Sequence, residues 1–156
     1  MKLADLIFVR GTSFLDRSIE DITSSSYSHV AGIVKENELI EAQGFRKTGY
    51  QALDFYSSHA DVYRCENMSD FQRDKILQYV TNEVGSRYDY LLIGWEAIRY
   101  LLHTMIPYRE PPQARICSTL WADAYKSAGI DLCPGIKYPT PRDLAESKLL
   151  KKIGNY

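Results

Sequence analysis

The 156-residue sequence is short of the features that announce a scaffold or a ligand class. Three cysteines, Cys65, Cys117 and Cys133, form an odd set with no CxxC and no Cys/His metal spacing, so no disulfide framework, zinc site or other metal is implied, and the expected compartment is reducing. Charge of one sign is also missing. Nineteen basic and twenty acidic side chains leave a net charge of -1, and no Lys/Arg block occurs, which excludes the basic footprint of a nucleic-acid-binding protein. The opening MKLADLIFVRG has an apolar stretch broken by Asp5 and no small-residue cleavage site, so it reads as a first strand rather than a signal peptide, and the expected location is cytoplasmic. The longest apolar stretch, Tyr90 to Ile106, is interrupted by Glu96, Arg99 and His103 and is too short and too charged for a transmembrane span. No repeat or low-complexity tract is present.

At 45% hydrophobic and 25% charged residues, the length and balance suit one globular domain, taken here as residues 1–156. Leu6–Val9 is a compact apolar run stopped by Gly11, and Phe14, Leu15, Ile19 and Ile22 follow at helical spacing. Beyond the Ser24-Ser25-Ser26 break, His29 to Val34 and Leu39 to Gln43 read as two strands joined by a polar turn, and Asp61 to Cys65 as another. Ser69 with Gln72 is a capping-box pattern opening a helix through Ile76, Leu77, Val80 and Val84, which Gly85 ends. Tyr90 to Met105 reads as a helix closed by Pro107, Pro111 and Pro112, which force an extended connection to Arg115. Cys117 to Ala128, with Leu120, Ala124 and Ala128 in register and Gly129 as terminator, reads as a helix with Cys117 at its start. The remainder carries Pro134, Pro139 and Pro141, then a short helix in Arg142 to Leu150. The expected fold class is α+β, a small, mainly antiparallel sheet packed against helices.

Cys117 has the one setting that suits a nucleophile. A thiol reacts as thiolate, and the unpaired N–H groups and positive dipole end of a helix start favour that anion. Cys65, in a strand, and Cys133, in a proline-flanked loop, read as buried structural thiols. A helix-start cysteine is by itself ordinarily structural, and a strand histidine such as His29 is ordinarily a packed, hydrogen-bonded residue. His59, in a loop, and His103, on a polar helix stripe, read as surface residues.

The surrounding text changes that balance. SYSHVAGIV at 26–34, LIEAQG at 39–44 and RICSTLWADAYKSAGI at 115–130 resemble, in this order, the circularly permuted branch of the NlpC/P60 papain-like superfamily, which includes YiiX-like proteins and relatives of lecithin retinol acyltransferase. The opening DLIFVRGTSFLDRSIEDIT, GSRYDY at 85–90 and YPTPRDLAES at 138–147 extend the resemblance over nearly the whole chain. It implies a permuted papain-like fold, Cys117 as nucleophile, His29 as general base, Glu41 as the residue that orients the imidazole, and no cofactor. The oxyanion would meet the Cys117 backbone N–H, with Tyr27 or the neighbouring Ser118 as second contact. Strand spacing does not supply the His29–Glu41 pair: a two-residue turn at Glu36-Asn37 pairs Gly32 with Glu41 and puts His29 and Glu41 on opposite faces. A bulge or an odd-length turn restores one face, and Gln43 is the nearest substitute.

The activity so implied is a cysteine hydrolase that forms a thioester acyl-enzyme and cleaves an amide bond in a small peptide or murein-type substrate. Two other readings stand beside it. One is a lipid-directed acyltransferase or thioesterase acting on a lipid amide or ester, with Tyr90 to Ile106 lining a greasy groove. The other is a catalytically silent lipid- or peptide-binding module.

Overall fold

The computed structural model describes residues 1–10, 26–42, 47–88 and 114–156. The expected helix at Phe14–Ile22, Gln43, and the expected helix at Tyr90–Met105 with His103 and the prolines behind it lie outside the described residues. The rest is α+β, with a six-stranded antiparallel sheet and three helices among the described residues. The strands are β1 (Leu6–Val9), β2 (His29–Lys35), β3 (Glu38–Glu41), β4 (Gly49–Ala52), β5 (Ala60–Arg64) and, far along the chain, β8 (Lys151–Asn155), in spatial order β4-β3-β2-β1-β5-β8. Two short strands, β6 (Arg87–Tyr88) and β7 (Ala114–Arg115), pair in parallel apart from this sheet. Among the described residues no helix is long and apolar enough to cross a membrane.

Period-2 alternation divides the sheet into two faces. Leu6, Phe8, Val30 and Ile40 join the core formed with helices α1 (Asp70–Asn82) and α2 (Cys117–Ser127). Ile7, Val9, Ala31, Ile33 and Leu39 form a second core on the other face, closed by the 3-10 turn Leu53–Tyr56. Helix α1 begins as its sequence dictates. The Ser69 hydroxyl accepts from the Gln72 N–H at 3.2 Å while the Gln72 side chain accepts from the Ser69 N–H at 3.0 Å, and Gly85, at φ +92°, lets the chain leave. Thr140 caps the short helix α3 (Pro141–Ala145) in the same manner.

One contact sets the distance between α2 and the sheet. Trp121 is fully buried, donates its indole N–H to the Ile40 carbonyl at 3.2 Å, and lies directly against Gly32, where a Cβ would stand 2.2 Å from the ring. Only glycine admits so close an approach of helix to strand.

Candidate active site

Helix α2 starts at Cys117 because its preceding residue, Ile116, is extended at φ -109° and ψ 162°, and because Thr119 reaches back: its hydroxyl accepts from the Ile116 N–H at 3.3 Å. The first-turn N–H groups have no intrahelical acceptor, and that of Ser118 is directed to the thiol. Cys117 is buried, and its sulfur takes backbone hydrogen bonds from Val30 on β2 and from Ser118.

His29, the first residue of β2, has two side-chain partners. Its Nε2 lies 2.9 Å from Glu41 Oε2, and it also hydrogen-bonds Cys117, which leaves Nδ1 as the nitrogen that serves the thiol. The His29–Glu41 contact depends on a single extra residue. At the turn Lys35 pairs with Glu38, the register of a two-residue turn, but beyond it Ile33 pairs with Leu39 and Gly32 with Ile40, so Val34 is bulged out. The one-residue shift places Glu41 opposite Ala31, on the same face as His29 and one diagonal step from it, within reach of a glutamate side chain.

The site's charges support one another. Burial pushes the Cys117 thiol up. The His29 imidazolium beside it, the hydrogen bond from that ring and the backbone donors of Val30 and Ser118 outweigh this and hold the thiol below its ordinary value. Burial pulls the His29 imidazole down, and the Cys117 thiolate together with the Glu41 carboxylate reverses it, so the ring holds its proton well above the ordinary histidine range. The other two thiols contrast with this: burial pushes Cys65 up, and burial with Asp143 and Asp131 nearby pushes Cys133 up to about 12.

The remaining expected residues fall less uniformly. The Tyr27 hydroxyl donates to Asp61 Oδ2 at 2.6 Å and lies 3.1 Å from the Tyr63 hydroxyl, so its proton points at a buried carboxylate rather than at the Cys117–His29–Glu41 group. Ser118 sits at the site through its N–H, and its side-chain hydroxyl is buried with no hydrogen-bond partner among the described residues. His59 is exposed, as expected. One residue was not expected. Tyr56, at the end of the 3-10 turn, donates its hydroxyl to the same Glu41 Oε2 at 2.5 Å, and its ring stands 5.8 Å from that of His29. No local sequence pattern marks it, because what matters is a tertiary contact with Glu41 on the same face of the sheet.

Chemically, the arrangement is a thiolate–imidazolium pair oriented by a buried carboxylate at a helix start. A solved structure shares the fold: the crystal structure of the metalloprotein YiiX from Escherichia coli O157:H7, DUF1105, matches at TM-score 0.74 and 16% identity, over 99% of this chain and 97% of that one. At that identity the match shows a YiiX-like fold and nothing finer. No protein-family model and no curated protein matches the chain.

Proposed function

We propose that the protein is a cysteine hydrolase of the circularly permuted papain-like, NlpC/P60 type, cleaving an amide bond in a small peptide or murein-type substrate. The observation that carries this reading is the chain of contacts from Cys117 to His29 to Glu41, with the thiol held below its ordinary value at a helix start. In the first half-reaction the Cys117 thiolate attacks the carbonyl carbon. The Cys117 backbone N–H meets the oxyanion, and the His29 imidazolium gives its proton to the departing amine as the C–N bond breaks. In the second, His29, now neutral, takes a proton from water. The hydroxide attacks the thioester and the acid leaves, with the thiolate–imidazolium pair restored. Glu41 keeps Nδ1 of His29 turned to the sulfur throughout. Among the described residues no group of three His, Cys, Asp or Glu side chains is placed to hold a metal ion, and the proposed mechanism uses none.

The test is iodoacetamide alkylation of each cysteine against pH, read by mass spectrometry in the wild type and in His29→Ala. Cys117 is expected to react with a midpoint well below those of Cys65 and Cys133, and to lose that advantage in His29→Ala. An ordinary midpoint for Cys117 in both proteins removes the hydrolase and leaves the silent binding module.

A further inference from the structure

Glu41 is buried, and its Oε2 accepts from two donors on the same face of the sheet: His29 Nε2 at 2.9 Å and the Tyr56 hydroxyl at 2.5 Å. Tyr56 is itself buried at the end of the Leu53–Tyr56 turn, whose Leu53 anchors in the core beneath the sheet, so its hydroxyl is held in place by packing. Among the described residues, the charged partner groups acting on His29 are Cys117, from the start of α2, and Glu41, from β3. Asp54 on the same turn is engaged elsewhere, accepting from the Tyr156 hydroxyl at 2.5 Å.

We propose that Tyr56 is a positioning residue of this site, pinning the Glu41 carboxylate and limiting how tightly the His29–Glu41 pair holds its proton. The proposal rests on the reading of Cys117 and His29 as nucleophile and base. A buried carboxylate beside a neutral imidazole is an under-solvated charge, and each hydrogen bond it accepts lessens its demand for a further positive partner. Without the Tyr56 donor, the Glu41 charge draws the proton more firmly onto His29. That matters twice in a cycle: the imidazolium must release its proton to the leaving amine, and the neutral ring must exist to activate water. Tyr56 thus serves turnover rather than formation of the thiolate.

The experiment is a ring-nitrogen NMR titration of His29 in the full chain, with the resonance assigned by its loss in His29→Ala. It is run in a Cys117→Ala background, so that the thiol does not titrate with the ring. There the result is independent of whether Cys117 is reactive, which the alkylation experiment decides separately. Tyr56→Phe is expected to raise the His29 midpoint by about one pH unit, the scale of one hydrogen bond to a charged group. In Glu41→Gln the same change is expected to move it by less than about a third of that, because the charge Tyr56 acts on is gone. Should Tyr56→Phe fail to fold, 3-fluorotyrosine at position 56, a stronger donor of the same shape, is expected to move the midpoint down. An unchanged or lowered midpoint in Tyr56→Phe, an equal rise with and without the Glu41 carboxylate, or no downward movement with 3-fluorotyrosine would overturn the proposal.

Discussion

Gly32→Ala adds one methyl group at the point where β2 and α2 come closest. The new Cβ would stand 2.2, 2.3 and 2.6 Å from three atoms of the Trp121 ring, where ordinary contact begins near 3.4 Å, so the helix and strand must part by more than about 1 Å. The ring has little room to turn: it is fully buried in the core that also holds Phe8, Val30, Ile40 and Leu120, and its N–H is committed to the Ile40 carbonyl. Overpacking of this kind costs about 1–3 kcal/mol, and weakening the indole hydrogen bond adds about 1 kcal/mol, for an expected loss near 3 kcal/mol. With a urea slope of about 2 kcal/mol per molar, the unfolding midpoint falls by about 1.5 M. The same displacement separates the element that carries His29 from the one that carries Cys117, so the alkylation midpoint of Cys117 is expected to climb toward an ordinary thiol even in the folded fraction. In a Trp121→Phe background the smaller ring relieves the clash, and Gly32→Ala is expected to cost at least about 1 kcal/mol less there. A Gly32→Ala protein as stable as the wild type would refute the packing argument. So would an equal cost in both backgrounds.

Two further outcomes follow from the buried charges. Asp61 is almost wholly buried, accepting from Arg10 at 2.5 Å, Lys152 at 2.9 Å and Tyr27 at 2.6 Å, and so ties β1, β5 and β8 together. Asp61→Asn is expected to cost about 2 kcal/mol in urea unfolding, the low side for a broken buried pair because Arg10 and Lys152 stay half in water; a loss under about 0.5 kcal/mol would contradict it. The Cys117–His29 pair sets a pH signature. His29, raised from 6.5 to about 10, stabilises fully below 6.5 and loses that stabilisation as pH rises to 10; Cys117, lowered from 9.0, stabilises fully above 9.0 and loses it as pH falls through its folded value. The slopes cancel where the two ranges overlap, up to pH 9, so the stability difference between wild type and Cys117→Ala is expected to be flat just below pH 9 and to fall from about pH 9 to 10. Denaturation at a series of pH values reads this directly, and a difference that goes on rising above pH 9 would exclude the ion pair.

Much of the fold was legible because local chemistry specified it. The Ser69/Gln72 box, the apolar runs of β1 and β2 and the polar turn at Glu36-Asn37 each lie where their residues demand. Cys117 at a helix start was readable from the extended residues before it and Gly129 behind it, which takes φ +81°. The strands that escaped notice have no such signal. β8 is Lys-Lys-Ile-Gly-Asn, almost entirely exposed, with charge of the kind that guards a sheet edge and little apolar alternation; β4 is the opposite edge, also short and half in water. Both exist because a neighbouring strand offers hydrogen bonds, a fact of the tertiary fold. Tyr56 escaped for the same reason.

Glu41 is the case where a rule of sequence reading points the wrong way, and the bulge at Val34 explains it. Counting from the two-residue turn places Glu41 opposite Gly32 and away from His29; the structure keeps that register only as far as Lys35 and Glu38. Deleting Val34 therefore tests whether the extra residue serves register or twist. The pairs on either side, Ile33 with Leu39 and Lys35 with Glu38, can persist without it as an unbroken ladder, and Glu41 would still lie on the His29 face. Bulges also sharpen the local twist of a strand pair, and twist shortens diagonal contacts such as His29 to Glu41. If register alone matters, the deletion protein keeps the low alkylation midpoint of Cys117 within about half a pH unit, and loses only the partly buried Val34 side chain, about 1 kcal/mol of packing. A folded deletion protein in which Cys117 titrates as an ordinary thiol would instead show that the twist, and not the register, brings His29 to its carboxylate.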